Sequence, residues 1–314
     1  MTVRMGRPQR EIFGETVAAI AEADRRVVVV DGDVGSSTRA DIFEKAHPER
    51  YLQMGIAEQN MLGVAAGLAT MGLVPFISTF VAFAVVRPLD QVRVLIAQPS
   101  ANVKITPSYG GLFTGQTGMS HIIVDDIAIM RSLPNMACVL PCDDVEAAAV
   151  LRWAAEHVGP VYVRLGRDAS PRIFGPDHVF AFGKGQVVRD GDDVTLIATG
   201  AQTARTLEAA DLLAADGISA HVLHLATVKP IDVEAVVAAA DRTGRVITVE
   251  EGTVIGGLGG AVAETLGEHR PTRVHRIGLQ DCDVQSGPNE ALLDIYGLSG
   301  VRVAEQVRAL LARD

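Results

Sequence analysis

The residue best suited to chemistry in this sequence is a glutamate, Glu58, in the segment QMGIAEQNM at residues 53–61. The apolar spacing that follows it predicts a helix over residues 58–71. A glutamate in the first turn of a helix stabilises the helix dipole and by itself needs no other role. A carboxyl group can also act as a proton donor or acceptor, which makes Glu58 the first candidate catalytic residue.

Two other segments have side chains suited to binding a small molecule. Residues 78–93 read STFVAFAVVRPLDQVR and place Phe80 and Phe83 just beyond a predicted strand. Residues 109–121 read YGGLFTGQTGMSH and end at His121, after another predicted strand. Open parallel sheets place their ligand loops at such positions, and histidine can transfer a proton near neutral pH. The alternative is that both phenylalanines are core residues at a strand end, which explains Phe80 equally well.

The sequence around these residues has the pattern of a parallel α/β fold. Short apolar runs, typical of strands, alternate throughout with amphipathic stretches, typical of helices. The predicted strands are 27–30, 74–78, 103–106, 138–140, 161–163, 194–198, 220–224, 245–249 and 273–277. The predicted helices are 58–71, 88–97, 126–131, 143–156, 202–215, 232–243 and 260–269. Periodicity fails where prolines and glycines accumulate. The sequence therefore predicts a first domain over 1–172, a linker over 173–183 and a second domain over 184–314, each a mainly parallel sheet flanked by helices.

Composition and charge exclude several classes of protein. The net charge of −10 and the pI near 5.3 argue against nucleic acid or an anionic membrane as a partner. Cys138, Cys142 and Cys282 fit neither a disulfide framework nor a zinc pattern, which favours a reducing cytoplasm. Residues 1–12 show no secretory signal. The uncharged stretch 61–86 is interrupted by glycines and a proline, which favours a buried helix and strand over a membrane span.

The motif around Glu58 resembles the pyrimidine-binding domain of thiamine diphosphate enzymes, and among those the transketolases. In that family a glutamate in a G-I-x-E-Q/H-N/H-M setting is the cofactor-activating acid. The resemblance implies that Glu58 shares a proton with the aminopyrimidine ring of thiamine diphosphate, and that Ile56 lies in the same cofactor site. Residues 78–93 are similar to the split transketolases of prokaryotes. That similarity implies that Phe83 stacks on the pyrimidine ring and that Phe80 lines the pocket.

The substrate loop both matches the family and departs from it. His121 matches the last residue of a family loop ending in G-E-D-G-A-T-H, where the histidine contacts sugar hydroxyls and can move a proton. Gln116 and Thr117 stand where the family has Glu and Asp, and Tyr109 stands where many members have His. In the family, the Asp is expected to distinguish the hydroxyl configuration of the sugar donor. Loss of its carboxylate changes the selectivity for substrates. We therefore expect a donor or acceptor other than the usual pentose phosphates.

Three further positions line up with phosphate-holding residues of the family. Arg10 matches an Arg near the chain start, Ser37 a Ser after the first strand, and Arg167 an Arg that closes the first domain. Guanidinium groups and a hydroxyl are suited to a sugar phosphate, although each Arg alone is equally suited to a surface ion pair. Together they favour a phosphorylated or otherwise anionic substrate.

The diphosphate-binding GDG motif of these enzymes does not occur in the sequence. The resemblance then implies a partner chain, an N-terminal transketolase half that carries GDG and holds Mg2+ and the diphosphate. By the same analogy two chains of each kind form a heterotetramer, and this chain itself binds no metal. A second glycine-rich segment, EEGTVIGGLGGA at residues 250–261, lacks the G-x-G-x-x-G spacing and is interpreted as a structural turn.

The resemblance thus implies a two-carbon ketol transferase subunit, with three alternatives left open. The second chain of a 2-oxoacid dehydrogenase shares the two-domain plan and the catalytic glutamate, and would release carbon dioxide from an oxoacid. A deoxyxylulose phosphate synthase is a weaker alternative, because that enzyme is normally one fused chain. A non-catalytic regulatory or scaffold subunit is allowed by the altered loop, whereas the intact Glu58 and Phe83 argue against it.

Overall fold

The fold is built from two α/β units, each around its own sheet, and the computed structural model describes residues 4–313. In chain order the strands are β1 (Val27–Asp31), β2 (Tyr51–Gln53), β3 (Val74–Ser78), β4 (Lys104–Ile105), β5 (Ala137–Val139), β6 (Val161–Val163), β7 (Gln186–Arg189), β8 (Val194–Ala198), β9 (Ala220–His224), β10 (Thr227–Lys229), β11 (Val246–Thr253) and β12 (Val274–Leu279).

The helices between the strands supply the layers that cover both sheets. In chain order they are α1 (Gln9–Ala23), α2 (Gly35–Thr38), α3 (Asp41–Ala46), α4 (Glu58–Thr70), α5 (Val81–Val85), α6 (Leu89–Gln91), α7 (Asp126–Ser132), α8 (Asp144–Glu156), α9 (Gln202–Ala215), α10 (Val233–Thr243), α11 (Leu258–His269), α12 (Asn289–Ile295) and α13 (Gly300–Leu311). Short 3-10 segments lie at Pro48–Arg50 and Gly111–Thr117, and a π-helical segment at Val92–Ala97.

The first sheet has seven strands in the order β10-β5-β6-β4-β3-β1-β2. Its six strands from the first half of the chain are all parallel. Parallel neighbours need long crossover connections, and helices on both faces of the sheet provide them. The carboxyl ends of all six strands therefore lie at the same end of the sheet, where loops can converge.

Covering the sheet on both faces requires strands that are apolar at every position, because successive side chains point to opposite faces. In β6, Val161 and Val163 pack with residues of α1 and α8 on one face. Tyr162, between them, packs with residues of α4 on the other face. The same double burial explains the uninterrupted valines at 27–30.

The second sheet has five strands in the order β12-β11-β8-β9-β7. Four are parallel, and β7 pairs antiparallel with β9 at one edge. The next strand, β10, does not join this sheet. It crosses to the first unit and pairs antiparallel with β5, with Thr227 opposite Val139. The second half of the chain thus supplies an edge strand to the first sheet.

These observations confirm the predicted fold class of two mainly parallel α/β units. The predicted helix at 88–97 begins as α6 and continues as the π-helical segment, a rare form that widens the helix locally. The uncharged stretch 61–86 divides among α4, β3 and α5. Within residues 4–313, no helix is long and apolar enough to cross a bilayer.

Candidate active site

The carboxyl end of the first sheet collects most of the candidate residues. Ligand loops lie at this end in parallel α/β folds. The candidates that follow strand ends are Ser37 after β1, Glu58 after β2, Phe80 and Phe83 after β3, Tyr109 and His121 after β4, and Arg167 after β6. Arg10, in the first turn of α1, reaches the same place and contacts Ser37.

Glu58 is the first residue of α4, and its side chain is only 4% exposed. Its Oε1 accepts a hydrogen bond of 2.7 Å from Nη1 of Arg87. The arginine side chain remains 45% exposed, so the pair joins a buried carboxyl group to a cation at the surface. A buried carboxylate without a partner is costly, and Arg87 relieves that cost here.

Arg87 makes a second contact that defines the shape of the site. The central carbon of its guanidinium lies 3.9 Å from the ring centroid of Phe83. The amide of Gln59, next to Glu58, donates to the backbone oxygen of Arg87 at 3.2 Å. A planar group with N–H donors therefore lies over the ring of Phe83 while it hydrogen-bonds to Glu58.

Four aromatic side chains form a continuous ring cluster beside this pair. Phe80 stacks on Tyr109 with centroids 4.2 Å apart, and its centroid lies 5.7 Å from that of Phe83. His121 meets Phe83 edge-on at 5.1 Å and lies 6.0 Å from Phe80. The loops after β3 and β4 are thus joined by aromatic contacts, which are favourable beyond simple burial.

Two guanidinium groups flank Tyr109 on the far side of this cluster. Arg10 donates from Nη1 to the Tyr109 hydroxyl at 2.9 Å and to the backbone oxygen of Ser37 at 2.8 Å. The central carbons of Arg10 and Arg167 lie 5.7 and 5.4 Å from the centroid of the tyrosine ring. Nε of Arg10 is buried and has no hydrogen-bond partner among the residues that the structure describes. This spare donor makes the region suited to an anion.

The second unit holds the loop that carries His121. The backbone N–H of Phe113 donates to Oε1 of Glu251, in β11, at 3.1 Å. The side chain of Asn289 accepts from the N–H of Gly115 at 3.0 Å and donates to the oxygen of Phe113 at 2.9 Å. Both units therefore shape the site, although its side chains come from the first.

Two of the candidate residues lie outside these contacts. Ile56 is 76% exposed and is not part of the ring cluster. Thr117 is exposed at the end of the 3-10 segment, where its hydroxyl bonds to the oxygen of Thr114 within the same turn. Ser37 belongs to the site, but it contributes its backbone oxygen to Arg10 rather than its hydroxyl.

Arg87 is the site residue that the sequence did not single out. It lies four positions after Phe83, but α5 ends at Val85 and Arg87 lies in the turn that follows. The contact between Arg87 and Phe83 is therefore not one that helical spacing indicates. The contact with Glu58 joins residues 29 positions apart, so no local pattern indicates it.

The glycine-rich segment after β11 has a structural role, as interpreted from the sequence. Oε2 and Oε1 of Glu250 accept hydrogen bonds from the N–H groups of Leu258 and Gly259 at 2.7 and 2.8 Å. The protein's own carboxyl group therefore occupies the N-terminus of α11, where a phosphate would bind. Burial raises the pKa of Glu250 to about 7, and the two N–H donors act against that rise.

Two family models match separate parts of the chain. Residues 7–172 match "Transketolase, pyrimidine binding domain", and residues 183–303 match "Transketolase, C-terminal domain". The chain is 42% identical over 301 residues to the "Putative transketolase C-terminal section" of Methanocaldococcus jannaschii, covering 95% of this chain and 94% of that protein. It is 40% identical over 301 residues to a "6-deoxy-6-sulfo-D-fructose transketolase subunit" of Clostridium sp., with coverages of 95% and 94%.

A solved structure supports the same assignment. The protein described as "Split gene transketolase, inactive beta4 tetramer" superposes with a TM-score of 0.91 at 45% identity, covering 98% of this chain and 99% of that one. The chain therefore belongs to the transketolase family. Within the family it corresponds to the C-terminal half of a split transketolase, which consists of the pyrimidine-binding domain and the C-terminal domain.

Proposed function

We propose that this chain is the cofactor-activating subunit of a split transketolase that moves a two-carbon ketol unit from an anionic ketose to an acceptor. When bound, thiamine diphosphate supplies the carbon that cleaves the donor and carries the ketol unit. One observation carries the proposal: buried Glu58 faces a planar N–H donor that is stacked on Phe83.

The residues present fit the aminopyrimidine end of the cofactor. The guanidinium of Arg87 is planar, donates an N–H to Glu58 and lies over Phe83. An aminopyrimidine is also planar, also carries N–H groups and also stacks on aromatic rings. Arg87 thus stands in for that ring, and Glu58 and Phe83 offer the two contacts that the ring requires.

Each group of the site then has a distinct task. The buried carboxyl of Glu58 would exchange a proton with the pyrimidine of a bound cofactor. Phe83 would hold that ring by stacking. His121, at the edge of Phe83, donates or accepts a proton at the sugar hydroxyls. Arg10 and Arg167 bind the anionic end of the donor.

A partner chain completes this proposed enzyme. The sequence lacks the GDG motif, so we assign Mg2+ and the diphosphate to an N-terminal transketolase half, in a heterotetramer of two chains of each kind. The solved relative described as a tetramer of β chains is also described as inactive. That description supports the need for a second kind of subunit.

The donor in this proposal is an anionic ketose other than the usual pentose phosphates. Tyr109, Gln116 and Thr117 replace family side chains on the substrate side, whereas the two arginines are retained. The similar Clostridium protein is named for a sulfonated fructose, an anionic ketose that carries no phosphate. Guanidinium groups bind sulfonate and phosphate oxygens by the same donors.

Reconstitution tests the proposed function directly. The chain, a GDG-bearing N-terminal half, Mg2+ and thiamine diphosphate are combined and assayed with anionic ketose donors and aldehyde acceptors. We expect ketol transfer only when both chains are present, with weak turnover of xylulose 5-phosphate and ribose 5-phosphate. Turnover of that pair at ordinary transketolase rates would contradict the substrate assignment. Carbon dioxide release from a 2-oxoacid, without ketol transfer, would replace the proposal by the dehydrogenase alternative.

Arg87→Gln is expected to tighten thiamine diphosphate binding to the reconstituted complex by about three- to tenfold, since bound cofactor must displace a half-exposed ion pair and a cation–π contact. Isothermal titration of the complex with thiamine diphosphate at constant Mg2+ measures the change. Arg93→Gln, at an exposed arginine paired with Asp90, is the matched control and should leave the dissociation constant unchanged. Weaker binding by Arg87→Gln would mean that Arg87 holds the cofactor instead of yielding to it.

A further inference from the structure

A second group of reactive side chains lies where the two units and their connection meet. Cys142 precedes α8, Glu146 lies in its first turn, and His224 ends β9 of the second sheet. One ligand atom from each of the three lies within 4.8 Å of the others, and all three residues are buried. A thiol, an imidazole and a carboxyl group are the donors that zinc prefers in proteins.

A fourth donor faces this group from the connection between the units. Nε2 of His178 lies 3.7 Å from Oε1 of Glu146, and the histidine side chain is only 5% exposed. This nitrogen has no hydrogen-bond partner within the described residues. The ring of Phe174 stacks on His178 at 3.9 Å and lies 5.9 Å from the ring of His224, so an aromatic group shields the cluster.

The surrounding contacts orient the donors as a metal site requires. Nδ1 of His224 lies 2.8 Å from the hydroxyl of Thr203, which directs Nε2 toward Glu146 at 2.9 Å. An imidazole ligand is generally oriented in this way, by a hydrogen bond at its other nitrogen. The backbone N–H of Cys142 also donates to Oε2 of Glu146 at 2.8 Å, which keeps the thiol beside the carboxyl group.

We propose that Cys142, Glu146, His178 and His224 form a structural zinc site, here called the interdomain zinc site, that joins the two units. Four protein donors close the tetrahedral coordination, so no position is left for substrate. His178, whose Nε2 lies 3.7 Å from Oε1 of Glu146, would supply the fourth donor. As the ion binds, the S–H bond of Cys142 breaks and any proton on the ligating imidazole nitrogens is lost; these protons are released to solvent as the sulfur–zinc and nitrogen–zinc bonds form.

Hydrogen bonding without a metal is the competing account of the cluster. Burial by itself raises the pKa of Glu146, but the nearby imidazoles of His224 and His178 outweigh it and bring the pKa below its usual range. That arrangement explains the carboxyl group and His224. In that arrangement the Cys142 thiol also hydrogen-bonds to Glu146. It leaves Nε2 of His178 without a hydrogen-bond partner among the described residues, whereas a zinc ion would use this nitrogen.

Cobalt(II) substitution tests the interdomain zinc site on the full-length chain without any assay of turnover. After reduction and removal of metals, titration with cobalt(II) should give a thiolate charge-transfer band and the intense visible bands of four-coordinate cobalt, and zinc(II) should displace them at one ion per chain. Cys142→Ser should abolish the charge-transfer band and weaken zinc binding by roughly a hundredfold or more. Thr203→Val, which removes only the orienting hydroxyl, should weaken it about 10- to 100-fold.

Matched variants separate this site from other metal binding. Cys282→Ser, at the exposed cysteine, should leave the spectrum and the affinity unchanged. His178→Gln should weaken zinc binding at least about tenfold, as expected for loss of a donor. Absence of a thiolate band in the wild-type chain, or zinc affinity unchanged by Cys142→Ser or His178→Gln, would overturn the proposal. Every measurement is a spectrum or a zinc dissociation constant. A negative result would therefore contradict the interdomain zinc site without contradicting the proposed transketolase function.

Discussion

Replacing Glu58 with glutamine is expected to reduce turnover of the reconstituted complex by roughly 10²- to 10⁴-fold, the range that a positioned acid or base contributes. Glutamine keeps the size of the side chain and can still hydrogen-bond to a bound ring. It cannot exchange a proton, and the proton is what the proposed activation requires. Steady-state ketol transfer at saturating thiamine diphosphate measures the effect.

The controls for this variant distinguish chemistry from structure. Glu49→Gln, at an exposed glutamate nine positions earlier in the chain, should retain full turnover. Glu58→Asp should also be impaired, because a side chain one methylene shorter does not reach the same position. Assembly with the partner, followed by size-exclusion chromatography, should be the same for every variant. Turnover within a few fold of wild type for Glu58→Gln would favour the scaffold alternative over an enzyme.

Arg10→Met is expected to lower kcat/KM for an anionic ketose donor by roughly 10- to 150-fold, the effect of losing about 1.5–3 kcal/mol from a charge-assisted hydrogen bond. Arg10 has a buried Nε without a partner within residues 4–313, and its guanidinium already faces Tyr109 and Ser37. For a neutral ketose of the same chain length, the kcat/KM of Arg10→Met should be close to that of wild type. Paired kinetics with the two donors measure the difference.

Two further variants test whether Arg10 acts through its charge and its planar guanidinium. Arg10→Lys keeps the charge but loses the planar fork, so its kcat/KM should lie between those of wild type and Arg10→Met. Arg25→Met, at an exposed arginine in the turn before β1, should behave as wild type. An equal loss with anionic and neutral donors would show that Arg10 acts by holding Tyr109 in place rather than by binding the anion.

Local sequence patterns predicted the parts of this molecule that depend on local physics. The apolar runs at 27–30 and 74–78 and the amphipathic stretch 143–156 correspond to β1, β3 and α8 within a residue at each end. Glu58 and Phe83 were predicted through a family motif, and both follow the carboxyl ends of strands in the first sheet. Their assignment to a cofactor remains a prediction.

The features that escaped sequence reasoning depend on contacts between distant residues. The link between Arg87 and Glu58 spans 29 positions, and that between Glu146 and His224 spans 78. Cysteine spacing predicted no zinc pattern, and the ligands of the proposed interdomain zinc site come from separate elements, which have no fixed spacing. The strand β10 was also missed, since three residues are too short for a pattern to indicate which sheet they join.

Because β10 crosses to the first sheet, dividing the chain at the predicted linker would break that sheet. A fragment ending within residues 173–183 would keep β5 but lose the strand that covers its outer side. The exposed backbone of β5 would then be open to pairing with other chains, a common route to aggregation. The two halves are therefore better regarded as one inseparable folding unit, even though each has its own sheet and core.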